Sequence, residues 1–139
     1  MASIWIIYSF LSMICIATLT LIQTKLTKIE TSSILINLYL FAFTLIGFFV
    51  LALREGKFAV SKVAVIWLIA SAVVAVGANY FMVEAIRLSP NPGYPWAIAS
   101  FNLVIVTIAS IFLFSSDFTV NKFIGILIVL LGVVVLSVF

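Results

Sequence analysis

The charged residues of this chain fall almost entirely at the ends of five long apolar runs, and that spacing restricts the fold more than any other feature. The first run extends from about Ile4 to Thr24 and ends at Lys25 and Lys28. The second covers about Ser33 to Leu53 and is bounded by Arg54, Glu55, Gly56 and Lys57. The third starts after Lys62 and continues to about Leu88, with Glu84 and Arg87 near its end. The fourth runs from about Pro95 to Phe114, behind the turn Ser89-Pro90-Asn91-Pro92-Gly93-Tyr94. The fifth runs from about Thr119 to Phe139, behind Ser115-Ser116-Asp117. A bilayer core about 30 Å thick is crossed by roughly 20 helical residues, so each run can span it. Backbone in lipid must satisfy its own hydrogen bonds, which makes these runs helices despite β-branched stretches such as Val133 to Val135. A β-barrel would need shorter segments of alternating polarity.

Composition agrees. Of 139 residues, 66% are apolar and 8% charged, against roughly 45–50% and about 25% in soluble domains. The net charge is +3, but the cations stand singly at the ends of apolar runs, where their stems snorkel toward lipid headgroups. The bilayer is therefore the expected partner, and nucleic acid is not. Cys15 is the single cysteine and there is no histidine, so neither an internal disulfide nor a metal or other cofactor site is expected. No nucleophile–base pair or Gly-rich phosphate loop is present, and Glu84 and Asp117 fall at opposite membrane faces, so the chain does not read as an enzyme. Met1-Ala2-Ser3 carries no basic side chain and the run behind it is about 20 residues long, so the first segment reads as a retained helix rather than a signal peptide.

Five spans place the two chain ends on opposite faces. The face opposite the N-terminus, side A, carries Lys25, Lys28 and Arg87; side B carries Arg54, Lys57, Lys62 and Lys122. Three cations against four is close to a tie under the positive-inside rule, and such a tie permits insertion in both orientations.

Polar groups at membrane depth are costly unless partnered or wet, and they gather in stripes. Ser9, Ser12, Thr20 and Gln23 share an arc of about 80° on the first helix, a candidate cavity wall, although Ser and Thr can also bond to their own helix. On the fourth, Ala99, Asn102, Val106, Ala109 and Ser110 share an arc of about 100°. Asn102 lies deep in the hydrocarbon, where it could meet a solute or a packed helix. On the third, Ser71, Ala75 and Ala78 make a small-residue stripe suited to helix packing. Tyr80, Glu84 and Arg87 form a separate stripe near side A, with Glu84 and Arg87 spaced for an ion pair. That pair could be a headgroup-level salt bridge or a charged gate. Gly125 and Gly132 lie seven apart on one face of the fifth helix and read as a contact surface. Gln23, Asn37, Asn79 and Asn102 all lie toward side A, so a single chain is expected to form a polar vestibule open at that end. The candidate substrate-binding residues are Ser12, Gln23, Asn79, Tyr80, Glu84 and Asn102.

The stretch from Asn79 to Leu136 resembles the second part of an EamA-type repeat of the drug/metabolite transporter superfamily. The resemblance is carried by the aromatic-rich helix end Asn79-Tyr80-Phe81-Met82-Val83-Glu84-Ala85-Ile86 and by the Pro-rich turn after it. It continues through Phe112-Leu113-Phe114-Ser115-Ser116-Asp117-Phe118-Thr119, Phe123-Ile124-Gly125 and Leu131-Gly132-Val133. Residues 1–78 match only in having two helices and a short basic loop. The family often has a Gly-Glu pair where this chain has Ser115-Ser116, with Asp117 one place later. The resemblance implies an all-α membrane protein, a single five-helix repeat spanning residues 1–139, paired to a ten-helix inverted-repeat dimer. It also implies a multi-pass cell-membrane transporter of a small-molecule substrate, a metabolite or drug. Four-helix multidrug relatives exchange protons on an acidic residue in helix one; helix one here has no Asp or Glu, so that mechanism is not expected. Two functions follow as expectations. One is secondary transport of a small polar or zwitterionic solute by alternating access, as a homodimer of antiparallel copies. The other is a subunit that flips a lipid-linked sugar, or an accessory subunit of a membrane complex.

Overall fold

The computed structural model of the chain describes residues 4–56, 58–114 and 119–138, and side chains for these except 121–122 and 136–138. Lys57 and Ser115-Ser116-Asp117 lie outside the described residues, as does the side chain of Lys122. Among the described residues there are six helices: α1 (Ile4–Lys28), α2 (Ser33–Glu55), α3 (Lys62–Leu88), α4 (Gly93–Ala99), α5 (Asn102–Phe114) and α6 (Val120–Val138). No strand occurs among the described residues. α1, α2, α3 and the Gly93–Phe114 stretch are each long and apolar enough to cross a membrane, and α6 contains the shorter apolar helix Phe123–Val135.

Local chemistry sets the helix ends. Ser32 caps α2, its hydroxyl accepting from the Ile34 N–H at 3.3 Å, as short polar side chains do for the orphan donors of a first turn. Gly56 ends α2 with φ 67°, and its N–H donates to the Ala52 carbonyl at 3.0 Å. α1 ends on the same left-handed geometry without a glycine. Glu30 has φ 62°, while the Thr31 N–H reaches the Leu26 carbonyl and the Glu30 N–H reaches Thr27, both at 3.2 Å. Those two bonds are the pair that defines a Schellman ending. In the turn before α4, Asn91 Oδ1 accepts from the Gly93 N–H at 2.8 Å. Pro95 falls in the first turn of α4, where a missing N–H costs little.

The structure divides the fourth apolar run in two. α4 ends at Ala99 and α5 begins at Asn102. Between them the backbone tightens to i→i−3 bonds: Phe101 N–H to Ile98, Leu103 to Ser100 and Val104 to Phe101, at 3.0–3.1 Å. The Ser100 hydroxyl also donates to the Ala97 carbonyl at 2.6 Å, a back-bond of the kind that bends helices. Neither glycine nor proline stands at the break.

Two compact units are present, residues 1–88 and 89–139. In the first, α3 packs against both α1 and α2. The buried residues are Thr20 and Gln23 of α1, Ser33, Ile36 and Asn37 of α2, and Val83 and Ile86 of α3. All lie at the end of their helices nearest the α1–α2 turn, which is side A. Toward the other end the same helices keep their large apolar side chains exposed, including Trp5, Phe10, Phe43, Phe48 and Trp67. That is the expected surface of a segment solvated by lipid tails, with Trp5 and Trp67 a turn or so inside the side-B ends at the usual depth of interfacial aromatics. In the second unit α4 packs on α6, and Val133 is buried. No described atom outside the helix's own nearby backbone approaches within 4 Å of a Cβ built on Gly125 or Gly132.

Candidate functional site

The third helix carries its charges where α2 begins, and this juxtaposition builds the site. The α1–α2 turn is short, so the first turn of α2 lies beside the last turns of α3. Ser33, the first residue of α2, is buried, and its hydroxyl donates to Glu84 Oε2 at 2.6 Å. The other oxygen of the same carboxylate accepts from the Arg87 guanidinium one turn further along α3. The pair sits at the rim, with the Glu84 side chain 24% and that of Arg87 49% exposed. A serine, a carboxylate and a guanidinium thus form a chain of charge-assisted hydrogen bonds that ties two helices together at side A.

One turn deeper on α2, Asn37 is buried. Its amide nitrogen donates to the Ser33 carbonyl at 2.9 Å and to the Asn79 carbonyl of α3 at 3.4 Å. Asn79 is half-buried, and its own amide donates back along α3 to Ala75 at 2.9 Å. Two asparagines therefore stitch α2 to α3 beneath the ion pair. Gln23 on α1, 4% exposed, is buried at the same end.

Of the residues expected from sequence to contact substrate, Asn79 and Glu84 are joined in one bonded network. Gln23 is buried in the same unit. Tyr80 is partly exposed on α3, with its ring edge-on to Phe81 at 5.5 Å between centroids. Ser12 is exposed on α1, distant in sequence from the buried end of that helix. Asn102 belongs to the second unit, where it begins α5 and is exposed.

Several hydroxyls of the proposed cavity walls turn back on their own helices. Ser9 donates to the Trp5 carbonyl at 2.8 Å, Thr20 to Ile16 at 2.9 Å and Ser110 to Thr107 at 2.9 Å; Thr107, outside those stripes, donates to Leu103 at 2.7 Å. Ser71 likewise donates to Leu68 at 2.9 Å. In lipid such a bond satisfies a hydroxyl within its own helix.

The polar groups expected to line a vestibule at side A differ in exposure within the first unit. Thr20, Gln23, Ser33 and Asn37 are buried, whereas Tyr80 and Arg87 are exposed. Depth along a helix alone does not distinguish a wet cavity from a hydrogen-bonded helix junction. Ser33 and Asn37 were not among the candidate site residues. Their spacing, four apart on one face of α2 at the level of Glu84, is the signal that could have found them.

Residues 3–138 match the EamA-like transporter family, and the chain belongs to that family. Comparison with curated proteins and with solved structures returned no match. The fold and the family together define a multi-pass membrane protein of transporter type, not an enzyme.

Proposed function

We propose that the chain moves a small polar or zwitterionic metabolite or drug across the cell membrane as a secondary transporter, by alternating access. The observation that carries this reading is the Ser33–Glu84–Arg87 chain of hydrogen bonds closing the side-A end of the first unit. A partly exposed ion pair at the rim adds little to the stability of a purely structural bundle. It is useful in a protein that must open at that end. A solute, or a partner that competes for Glu84, would weaken the latch and release α2 from α3. On this reading the conformation described is closed toward side A.

Alternating access requires an equivalent opening on the other face, and among the described residues of one chain there is one such latch. Two copies in antiparallel orientation would supply both, forming the inverted-repeat arrangement common among transporters. The near-even distribution of cations favours this, as do Gly125 and Gly132 on one face of α6, where a second backbone could approach closely.

The test begins with a broad panel of metabolites and drugs, screened for thermal stabilisation of the purified protein. Stabilising solutes are then followed into proteoliposomes containing this protein alone. Glu84→Gln should insert and assemble normally but transport less. Transport equal to that of the parent would reduce Glu84–Arg87 to a headgroup salt bridge. Activity seen only with a lipid-linked sugar or a second protein would replace solute transport with the flippase or accessory reading.

A further inference from the structure

The side of α3 that carries the rim charges continues below them as an exposed apolar strip. Arg87, Glu84, Tyr80, Gly77 and Val73 follow one another at three- and four-residue spacing, so they share one side of the helix. At the top, the Arg87 and Glu84 side chains are both open to the surroundings. Below them Tyr80 is partly exposed, and Val73, Val76 and Phe81 on the same side are exposed. Gly77 leaves a gap in the strip. Among the described atoms beyond its own neighbours and nearby helix backbone, only Phe81 Cε2 comes within 4 Å of where a Cβ would stand, at 3.9 Å. The packed side of α3 is a different one, where Val83 and Ile86 are buried and the Asn79 carbonyl accepts from Asn37 of α2. Glu84 stands on the border, with one oxygen turned to Ser33 and the carboxylate still partly open.

We propose that this strip seats one phospholipid whose headgroup carries both a phosphate and a primary ammonium. The phosphate sits on Arg87, the ammonium on Glu84, and an acyl chain lies along Tyr80, Gly77 and Val73. Depth puts each part in its proper layer. Arg87 is the last residue but one of α3 and Glu84 lies one turn inside it, so both stand at headgroup level. The strip beneath descends into the tails at about 1.5 Å per residue, and a tyrosine at the boundary is the usual interfacial aromatic. The ion pair need not break to receive the headgroup. Arg87 gives Glu84 one guanidinium nitrogen, and a guanidinium has about five N–H donors in all. The carboxylate accepts from Ser33 and Arg87, and its lone-pair positions number about four. Charge selects the occupant. The pair is neutral in sum, so an anionic headgroup without an ammonium would set a second negative charge against Glu84. A trimethylammonium has no N–H to give the carboxylate. A lipid bound in this way requires no transported solute, so the proposal goes beyond the transport reading and stands or falls apart from it.

The test uses the full chain, purified in detergent, with its unfolding midpoint followed as single phospholipids of identical acyl chains are added. These are phosphatidylethanolamine, phosphatidylcholine and phosphatidylglycerol. Glycerophosphoethanolamine, which has the headgroup and no tails, is the fourth probe. Phosphatidylethanolamine is expected to raise the midpoint saturably, at a concentration roughly tenfold below that required of the other two lipids, the difference one charge-assisted hydrogen bond makes. Glycerophosphoethanolamine should have no effect over the same range. Glu84→Gln should remove most of the preference for phosphatidylethanolamine and leave the affinity for phosphatidylcholine unchanged. Arg87→Gln should weaken the binding of both lipids roughly tenfold and keep the preference. A merely structural salt bridge would not divide preference from affinity between its two halves. Equal action of phosphatidylethanolamine and phosphatidylcholine on the unaltered protein overturns the proposal, whether or not either variant folds. A stronger response to phosphatidylglycerol, the mark of a general basic surface, overturns it too. So does an equal response to glycerophosphoethanolamine, which would indicate a site for a soluble zwitterion. No saturable response to any lipid, the result expected if a second copy of the chain covers the strip, overturns it as well.

Discussion

Glu30 and Gly56 occupy the same left-handed region of backbone space, at φ 62° and 67°, each just past the end of a helix. For an L-residue with a Cβ this conformation costs roughly 1–2 kcal/mol, and glycine escapes that cost while losing more freedom on folding. The two positions therefore carry opposite expectations. Glu30→Gly should stabilise the protein by about 0.5–1 kcal/mol, the strain relieved less the added entropy. Gly56→Ala should destabilise it by about 1 kcal/mol; nothing lies within 4 Å of the position, so the effect would come from the backbone alone. Thermal unfolding of the two variants in the same detergent checks both signs. Ser33 matters at this scale for a different reason. It is the first residue of a helix, yet its hydroxyl serves Glu84 across the interface rather than its own backbone. Ser33→Ala should lower the unfolding midpoint, because it leaves Glu84 with Arg87 alone.

At the scale of elements, the division of the fourth span has the clearest consequence. Its 22 residues, Gly93–Phe114, are apolar enough to cross the membrane, but the i→i−3 bonds around Ser100 and Phe101 make a weaker ladder than a continuous helix. Amides of residues 101–105 should exchange with deuterium about tenfold faster or more than those near the middle of α5, measured in lipid nanodiscs. Ser100→Ala removes the 2.6 Å back-bond to Ala97 and should slow that exchange. Uniform protection from 97 to 110 in the unaltered protein would show that the break is not a weak point. Asn102 opens α5 directly after this joint, so a flexing span would carry that side chain with it.

For the whole molecule, the proposed antiparallel dimer makes a prediction about sidedness. With Cys15 replaced by alanine and a cysteine placed at the C-terminus, a reagent that cannot cross the membrane should label about half the copies from each side, since near-even loop charges permit both insertions. Labelling from one side only would end the dual-orientation reading. Cys15 must be removed because it is exposed on α1. The sequence by itself determined the class of the protein and where its apolar segments begin and end. An unpartnered charge in lipid is costly wherever it falls along the chain, so charge positions mark span ends without knowledge of any neighbour. It also placed Glu84 and Arg87 within reach of each other, because helical spacing is a local property. Only the tertiary structure decided that Ser33 meets Glu84 across 51 positions of sequence, that Gln23 and Asn37 are buried, and that the fourth run breaks where neither glycine nor proline stands. Those outcomes depend on the register of one helix against another and on competition between side-chain and backbone hydrogen bonds. Neither is contained in the periodicity of a single segment.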